Sequence, residues 1–122
     1  MRYEDIKVGD RFVNKFYISK HDVDRFIHLT EDTNTVHETI VHGMLSASFI
    51  GTMIGTQIPG NGALITSHNI RFIRPIEIDS RIVVICEVNE KKDGSIKLWS
   101  DIFNQYGGVC VSSTAWVKIL EQ

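Results

Sequence analysis

The sequence lacks the features that mark nucleic-acid-binding and membrane-spanning proteins. Its 13 basic and 15 acidic residues leave a net charge of -2, and no run of Lys or Arg could follow a phosphate backbone. No apolar stretch approaches the length of a membrane span, and residues 1–5 are too polar to begin a signal peptide. We therefore expect a cytoplasmic protein with no nucleic-acid or membrane partner.

Cysteine is also scarce. Cys86 and Cys110 are the two cysteines of the chain, and both lie in strand-like segments without metal-ligand spacing. We expect them to be buried, reduced thiols, as in a cytoplasmic protein. The spacing of His21, His28 and His68 matches no metal site either. The sequence thus predicts neither a metal site nor a cofactor.

The length and composition fit one ordinary globular domain. The chain has 122 residues, of which 43% are hydrophobic and 23% charged. It contains no low-complexity linker, internal repeat or break in composition. We predict a single domain over residues 1–122.

Two helices are indicated, and they differ in character. Ser19 and Asp22 resemble a capping box, and the apolar spacing that follows predicts an amphipathic helix over residues 20–29. Residues 42–58 are apolar on nearly every helical face, with glycine and serine between the large side chains. This pattern predicts a helix buried all round, ended by Pro59-Gly60-Asn61-Gly62.

The rest of the chain has strand character. Asp93-Gly94 is a strong hairpin signal, and the last segment alternates with a period of two. Strands are predicted over residues 10–18, 63–73, 81–89, 95–104 and 109–120. One long buried helix wrapped by an antiparallel sheet is the economical arrangement, which is the α+β hot-dog fold. Because such a sheet leaves long edges, we also predict a homodimer or an assembly of dimers.

The most informative segment runs from Asp32 to Met44. Asp32-Thr33-Asn34-Thr35-Val36-His37 places a carboxylate and an imidazole on one loop, and Val41-His42-Gly43-Met44 opens the apolar helix. The free N–H groups at the start of that helix can hold an oxyanion. A base, its partner and an anion site so close together predict acid–base chemistry on an activated carbonyl compound.

These motifs, with Pro59-Gly60-Asn61-Gly62 and Phe72-Ile73-Arg74-Pro75-Ile76, resemble those of the MaoC-like dehydratases, and within them the short R-specific enoyl-CoA hydratases. The resemblance implies that Asp32 and His37 form a catalytic dyad. It would activate a water that adds to a trans-2-enoyl-CoA, giving an (R)-3-hydroxyacyl-CoA, or catalyse the reverse dehydration. The resemblance also implies that the Gly43 N–H binds the thioester oxygen.

Three further residues are predicted to bind substrate, namely Asn34, His42 and Met44. The resemblance implies that Asn34 supports the loop geometry. His42 stands near the helix cap, where a structural role is the alternative to chemistry. Arg71 and Arg74 are candidates for CoA phosphate contacts, or else belong to a solvated strand face.

The sequence departs from the family pattern in the same region. Glu31 and Thr35 occupy positions where relatives usually have Gly and Pro, and only four residues separate His37 from His42. Relatives carry a longer segment there, which helps to cover the acyl pocket. We therefore expect a pocket that is less covered within its own subunit, with a neighbouring subunit supplying part of the wall.

Two other functions stay open on the sequence alone. A hot-dog thioesterase would bind the same acyl-CoA and hydrolyse it, although the spacing of Asp32, Asn34 and His37 argues against this. A noncatalytic acyl-CoA-binding subunit is the second alternative, and the shortened loop makes it conceivable.

Overall fold

The computed structural model describes residues 1–120 and contains one antiparallel sheet with the strand order β1-β3-β4-β5-β2. The strands are β1 (Arg11–Ile18), β2 (Ala63–Phe72), β3 (Ser80–Lys92), β4 (Ser95–Phe103) and β5 (Val109–Ile119). The helices are α1 (Lys20–Thr30) and α2 (Gly43–Thr56), with short 3-10 helices at Tyr3–Asp5 and Thr35–Glu38. The predicted α+β hot-dog architecture is confirmed. Within residues 1–120 no helix combines the length and apolarity needed to cross a bilayer.

Helix α1 begins and ends with well-defined caps. The Ser19 hydroxyl accepts from the Asp22 N–H at 3.1 Å, and the Asp22 carboxylate accepts from the Ser19 N–H at 2.9 Å, so the predicted capping box is confirmed. The bond from the Ser19 backbone lowers the pKa of Asp22. The helix ends at Glu31, whose φ of 59° and ψ of 20° are left-handed. This conformation turns the chain toward the Asp32 loop, and it is one that glycine adopts more readily than other residues do.

Helix α2 is buried on one side only. Its inner face consists of Ser46, Ala47, Ile50, Met53 and Ile54. The opposite face carries exposed residues, including Met44, Ser48, Thr52 and Thr56. The prediction that this helix is buried all round is therefore wrong for one copy of the chain, because the five strands cover only one side.

The core lies between α2 and the face of the sheet that packs against it. Alternate residues of the central strands point inward and are fully buried, among them Ile82, Val84, Ile96, Leu98 and Val117. Each such side chain contributes about 1.5–3 kcal/mol through burial. Cys86 and Cys110 are buried and unpaired, as predicted, and burial raises the pKa of both thiols.

Candidate active site

Asp32 follows the left-handed residue that ends α1, and its carboxylate is held at one oxygen. The Asn34 N–H donates to Asp32 Oδ1 at 3.3 Å, which is an Asx turn of the kind that short polar loops favour. The Asp32 N–H donates to Thr30 Oγ1, also at 3.3 Å. These bonds leave Oδ2 free to face the two histidines that follow in the chain.

His37 lies in the 3-10 helix Thr35–Glu38, which the Asn34 side chain caps by accepting from the Val36 N–H at 3.1 Å. The His37 Nδ1 is 2.9 Å from the Ile40 carbonyl oxygen. On the other side of the ring, Nε2 is 4.0 Å from Asp32 Oδ2. The structure thus brings the predicted pair Asp32 and His37 together, at a separation too long for a direct hydrogen bond.

His42 forms the third side of this cluster. Its side chain is only 3% exposed and stacks on the His37 ring, with ring centroids 3.6 Å apart, while Phe26 lies against it at 4.8 Å. Its Nε2 is 3.3 Å from the Asp32 carbonyl oxygen and 3.9 Å from Asp32 Oδ2. His42 stands at the N-cap of α2, but its side chain makes no capping hydrogen bond.

Three potential metal ligands therefore meet here, which the sequence spacing did not indicate. Ligand atoms of Asp32, His37 and His42 all lie within 4.8 Å of one another. Two ligands bound to one tetrahedral zinc ion stand about 3.4 Å apart, so these side chains would have to close up to hold such an ion. The grouping escaped sequence analysis because the fold, and not a spaced motif, creates it.

The short segment between His37 and His42 is tied to the chain that follows β2. The Val41 N–H donates to the Ile76 carbonyl at 2.8 Å, and the Ile78 N–H donates to the Thr39 carbonyl at 3.1 Å. These two bonds fix the segment at both sides of Ile40. The shortened loop therefore leaves His37 within reach of Asp32.

A groove of about 430 Å³ opens beside His37, a volume typical of small-molecule sites. Gly43 lines it, and as the first residue of α2 its N–H has no acceptor within the helix. Asp32 is not among the lining residues and joins the groove through its approach to His37. The remaining wall is mostly apolar and comprises Val36, Ile40, Val41, Ser46, Phe72, Ile73, Arg74, Pro75, Ile76 and Val111.

Phe72 is a site residue to which sequence analysis gave no role. A side-chain carbon at Gly43 would lie 2.8 Å from the Phe72 Cε1, so the ring covers this glycine closely. The sequence did contain a signal for Phe72, because this residue belongs to the Phe72-Ile73-Arg74-Pro75-Ile76 motif, one of those that carry the family resemblance. Arg74 also lines the groove and donates to the Val109 carbonyl at 2.7 Å.

The remaining predicted residues lie outside this groove wall. Met44 is 62% exposed, on the outer side of the first turn of α2. Arg71 is exposed on β2. Neither lines the groove in a single copy of the chain, as described over residues 1–120.

The chain is similar to proteins whose activity is named. An (R)-specific enoyl-CoA hydratase from Rhodospirillum rubrum is 34% identical over 98 residues, which cover 70% of this chain and 68% of that protein. An (R)-specific enoyl-CoA hydratase from Aeromonas caviae is 27% identical over 133 positions, covering 98% of this chain and 99% of that protein. The solved structure of the unliganded R-hydratase PhaJ1 from Pseudomonas aeruginosa gives a TM-score of 0.93 at 29% identity, covering 99% and 86% of the two chains.

The lengths of these proteins bear on the shortened loop. The 133 positions aligned with the Aeromonas caviae protein exceed the 122 residues of this chain by eleven, so that relative has residues without a counterpart here. The segment between His37 and His42 is where we expect these additional residues of the relative to fall.

The MaoC like domain family matches residues 6–100. Because the match covers most of this chain, the chain belongs to the MaoC-like domain family.

Proposed function

We propose that this chain is an enzyme that adds water to the double bond of a trans-2-enoyl-CoA, forming an (R)-3-hydroxyacyl-CoA, or catalyses the reverse dehydration. The observation that carries the proposal is the 4.0 Å approach of Asp32 Oδ2 to His37 Nε2 beside a groove lined by Gly43. The named activities of the relatives agree with it.

The spacing of the dyad suits a water molecule. Two hydrogen bonds of about 2.8 Å span a gap of this size when they meet at a bent angle, so one water can donate to both groups. Its oxygen then keeps a lone pair for attack. As that oxygen bonds to C3 of the substrate, the dyad accepts one proton from the water, which is general-base catalysis.

The remaining steps need an anion site and a proton donor. The electrons of the double bond move to the thioester oxygen, and we place the resulting enolate oxygen at the free N–H of Gly43. The protonated dyad then delivers a proton to C2. One water is added, and no other reactant is consumed.

A second copy of the chain is the partner we propose for the open side of the groove. Strand β2 is an edge strand, and exposed apolar side chains follow it and the neighbouring start of α2, including Leu64, Phe72, Ile73 and Met44. An apolar acyl chain gains little in an open, wet groove. A dimer formed along β2 would cover both this surface and the acyl chain.

The direct test uses crotonyl-CoA, the shortest common substrate of this class. Purified protein should reduce the absorbance of the enoyl thioester without any added metal or redox cofactor. Binding of the thioester without turnover in either direction would contradict the proposal and favour a noncatalytic acyl-CoA-binding subunit.

A further inference from the structure

We infer that His42 is a positioning residue that fixes the Asp32 loop through its Nε2–H, and that its neutral tautomer is opposite to that of His37. The two rings lie in contact, yet their surroundings differ. The effect on turnover rests on the proposed hydratase function, whereas the tautomers can be measured independently.

The tautomer of His37 follows from its acceptor. The Ile40 carbonyl oxygen, 2.9 Å from Nδ1, can only accept a hydrogen bond. The proton of the neutral ring therefore belongs on Nδ1. This leaves the Nε2 lone pair facing the carboxylate and the groove, as a base requires.

The tautomer of His42 follows from the opposite arrangement. Its Nδ1 is buried and has no hydrogen-bond partner among residues 1–120, whereas Nε2 lies 3.3 Å from the Asp32 carbonyl oxygen. A proton on Nδ1 would bury an unsatisfied N–H and turn a lone pair on Nε2 toward the carbonyl. A proton on Nε2 avoids both penalties and supplies a donor to Asp32.

The hydrogen bond from His42 matters because few other contacts hold Asp32 in place. Its side chain is 48% exposed, and its local bonds run to Thr30, the last residue of α1, and to Asn34 in the loop. His42, by contrast, is packed between His37 and Phe26 and cannot swing away. The Nε2–H thus connects a rigid ring to the loop that carries the carboxylate. Small errors in the placement of a reacting group can slow an enzyme by about 10²-fold.

Nitrogen-15 NMR of the ring nitrogens tests the tautomers without substrate. When both imidazole rings are neutral, we expect His37 to be protonated at Nδ1 and His42 at Nε2. The same tautomer on both rings, or the reverse assignment, would overturn the inference. A protein that fails to hydrate crotonyl-CoA would overturn the proposed function and leave this measurement valid.

Paired variants test the positioning role. His42→Leu removes the donor, and we expect kcat to fall by about 10²-fold with KM nearly unchanged. His42→Gln keeps an N–H at similar reach and should recover most of the rate, which a purely space-filling role would not predict. His28→Leu, on the exposed face of α1, serves as the control. A native kcat in His42→Leu would contradict the donor role, and so would a folded His42→Gln variant whose kcat falls as far as that of His42→Leu. If His42→Leu does not fold, the kcat of His42→Gln and the NMR tautomers decide.

Discussion

The two edge strands of the sheet, β1 and β2, differ in how their exposed charged and uncharged side chains are distributed. Strand β1 alternates between exposed and more buried residues, and its exposed positions include the charged Arg11 and Lys15. Strand β2 has consecutive exposed residues from Leu64 to Ser67 and ends at the exposed Phe72, which the exposed Ile73 follows. Charged side chains on an edge discourage pairing with another chain, whereas a run of exposed uncharged residues such as Leu64 to Ser67 favours it.

The proposed site lies on only one of these two sides of the molecule. The β2 side, meaning β2, the first turn of α2 and the loop from Asp32 to His37, carries the groove and the proposed catalytic groups. The β1 edge contributes no groove-lining residue within the described chain. The incompletely covered surface of one copy is thus the surface that carries the proposed site.

The largest effect should come from the carboxylate on the β2 side. Asp32→Asn keeps the side-chain shape and removes the base, so we expect turnover to fall by about 10²- to 10⁴-fold with little change in thermal unfolding. The control is Asp24→Asn, which breaks an exposed ion pair with Lys20 on α1. A near-native rate in Asp32→Asn would show that Asp32 is only a loop residue.

A pair of matched substitutions tests the difference between the edges. Leu64 on β2 and Val13 on β1 are similarly exposed, at 47% and 52%. We expect Leu64→Lys to weaken the dimer by about 100-fold or more, since like charges would face each other across a two-fold interface. Turnover should fall as the dimer dissociates, before the domain unfolds.

Val13→Lys should leave both properties unchanged. Light scattering after size-exclusion chromatography, combined with turnover over a dilution series, measures these effects. An active monomer, or equal effects of the two substitutions, would remove the functional distinction between the edges.

A smaller effect concerns the contact between Gly43 and Phe72. Gly43→Ala adds a methyl group 2.8 Å from the present position of the Phe72 ring, so the ring or the helix start must move. We expect kcat/KM to fall by about 10-fold, equivalent to about 1.4 kcal/mol. Adding Phe72→Leu should recover part of the loss, because neighbouring substitutions interact. Strictly additive effects in this double-mutant cycle would disprove the coupling.

The smallest effect is on stability and concerns the turn that precedes Asp32. Glu31 has a positive φ of 59°, which costs a non-glycine residue about 1–2 kcal/mol. Glu31→Gly removes that strain, but glycine loses more backbone entropy, so we expect a net gain of about 0.5–1 kcal/mol in urea unfolding. Glu38→Gly, at a position without positive φ, should give no gain. A loss of stability in Glu31→Gly would contradict this explanation.

Local patterns were sufficient to predict most of the fold. The capping box at Ser19 and the hairpin at Asp93-Gly94 depend on neighbours in the chain, so sequence alone located them. The exposed side of α2 could not be predicted, because apolar residues do not reveal how many strands one copy provides. The stacking of His42 on His37 and the contact of Phe72 with Gly43 depend on tertiary packing, which no sequence spacing encodes.

The central claim is that the β2 side adds water to C3 of an enoyl thioester. Incubation of the protein with crotonyl-CoA in water labelled with oxygen-18, followed by mass spectrometry and chiral analysis, tests it most directly. We predict the label in the 3-hydroxyl group of (R)-3-hydroxybutyryl-CoA, with the thioester intact, and little product from Asp32→Asn. Label in a free carboxylate, released together with CoA, would instead identify a thioesterase and contradict the account.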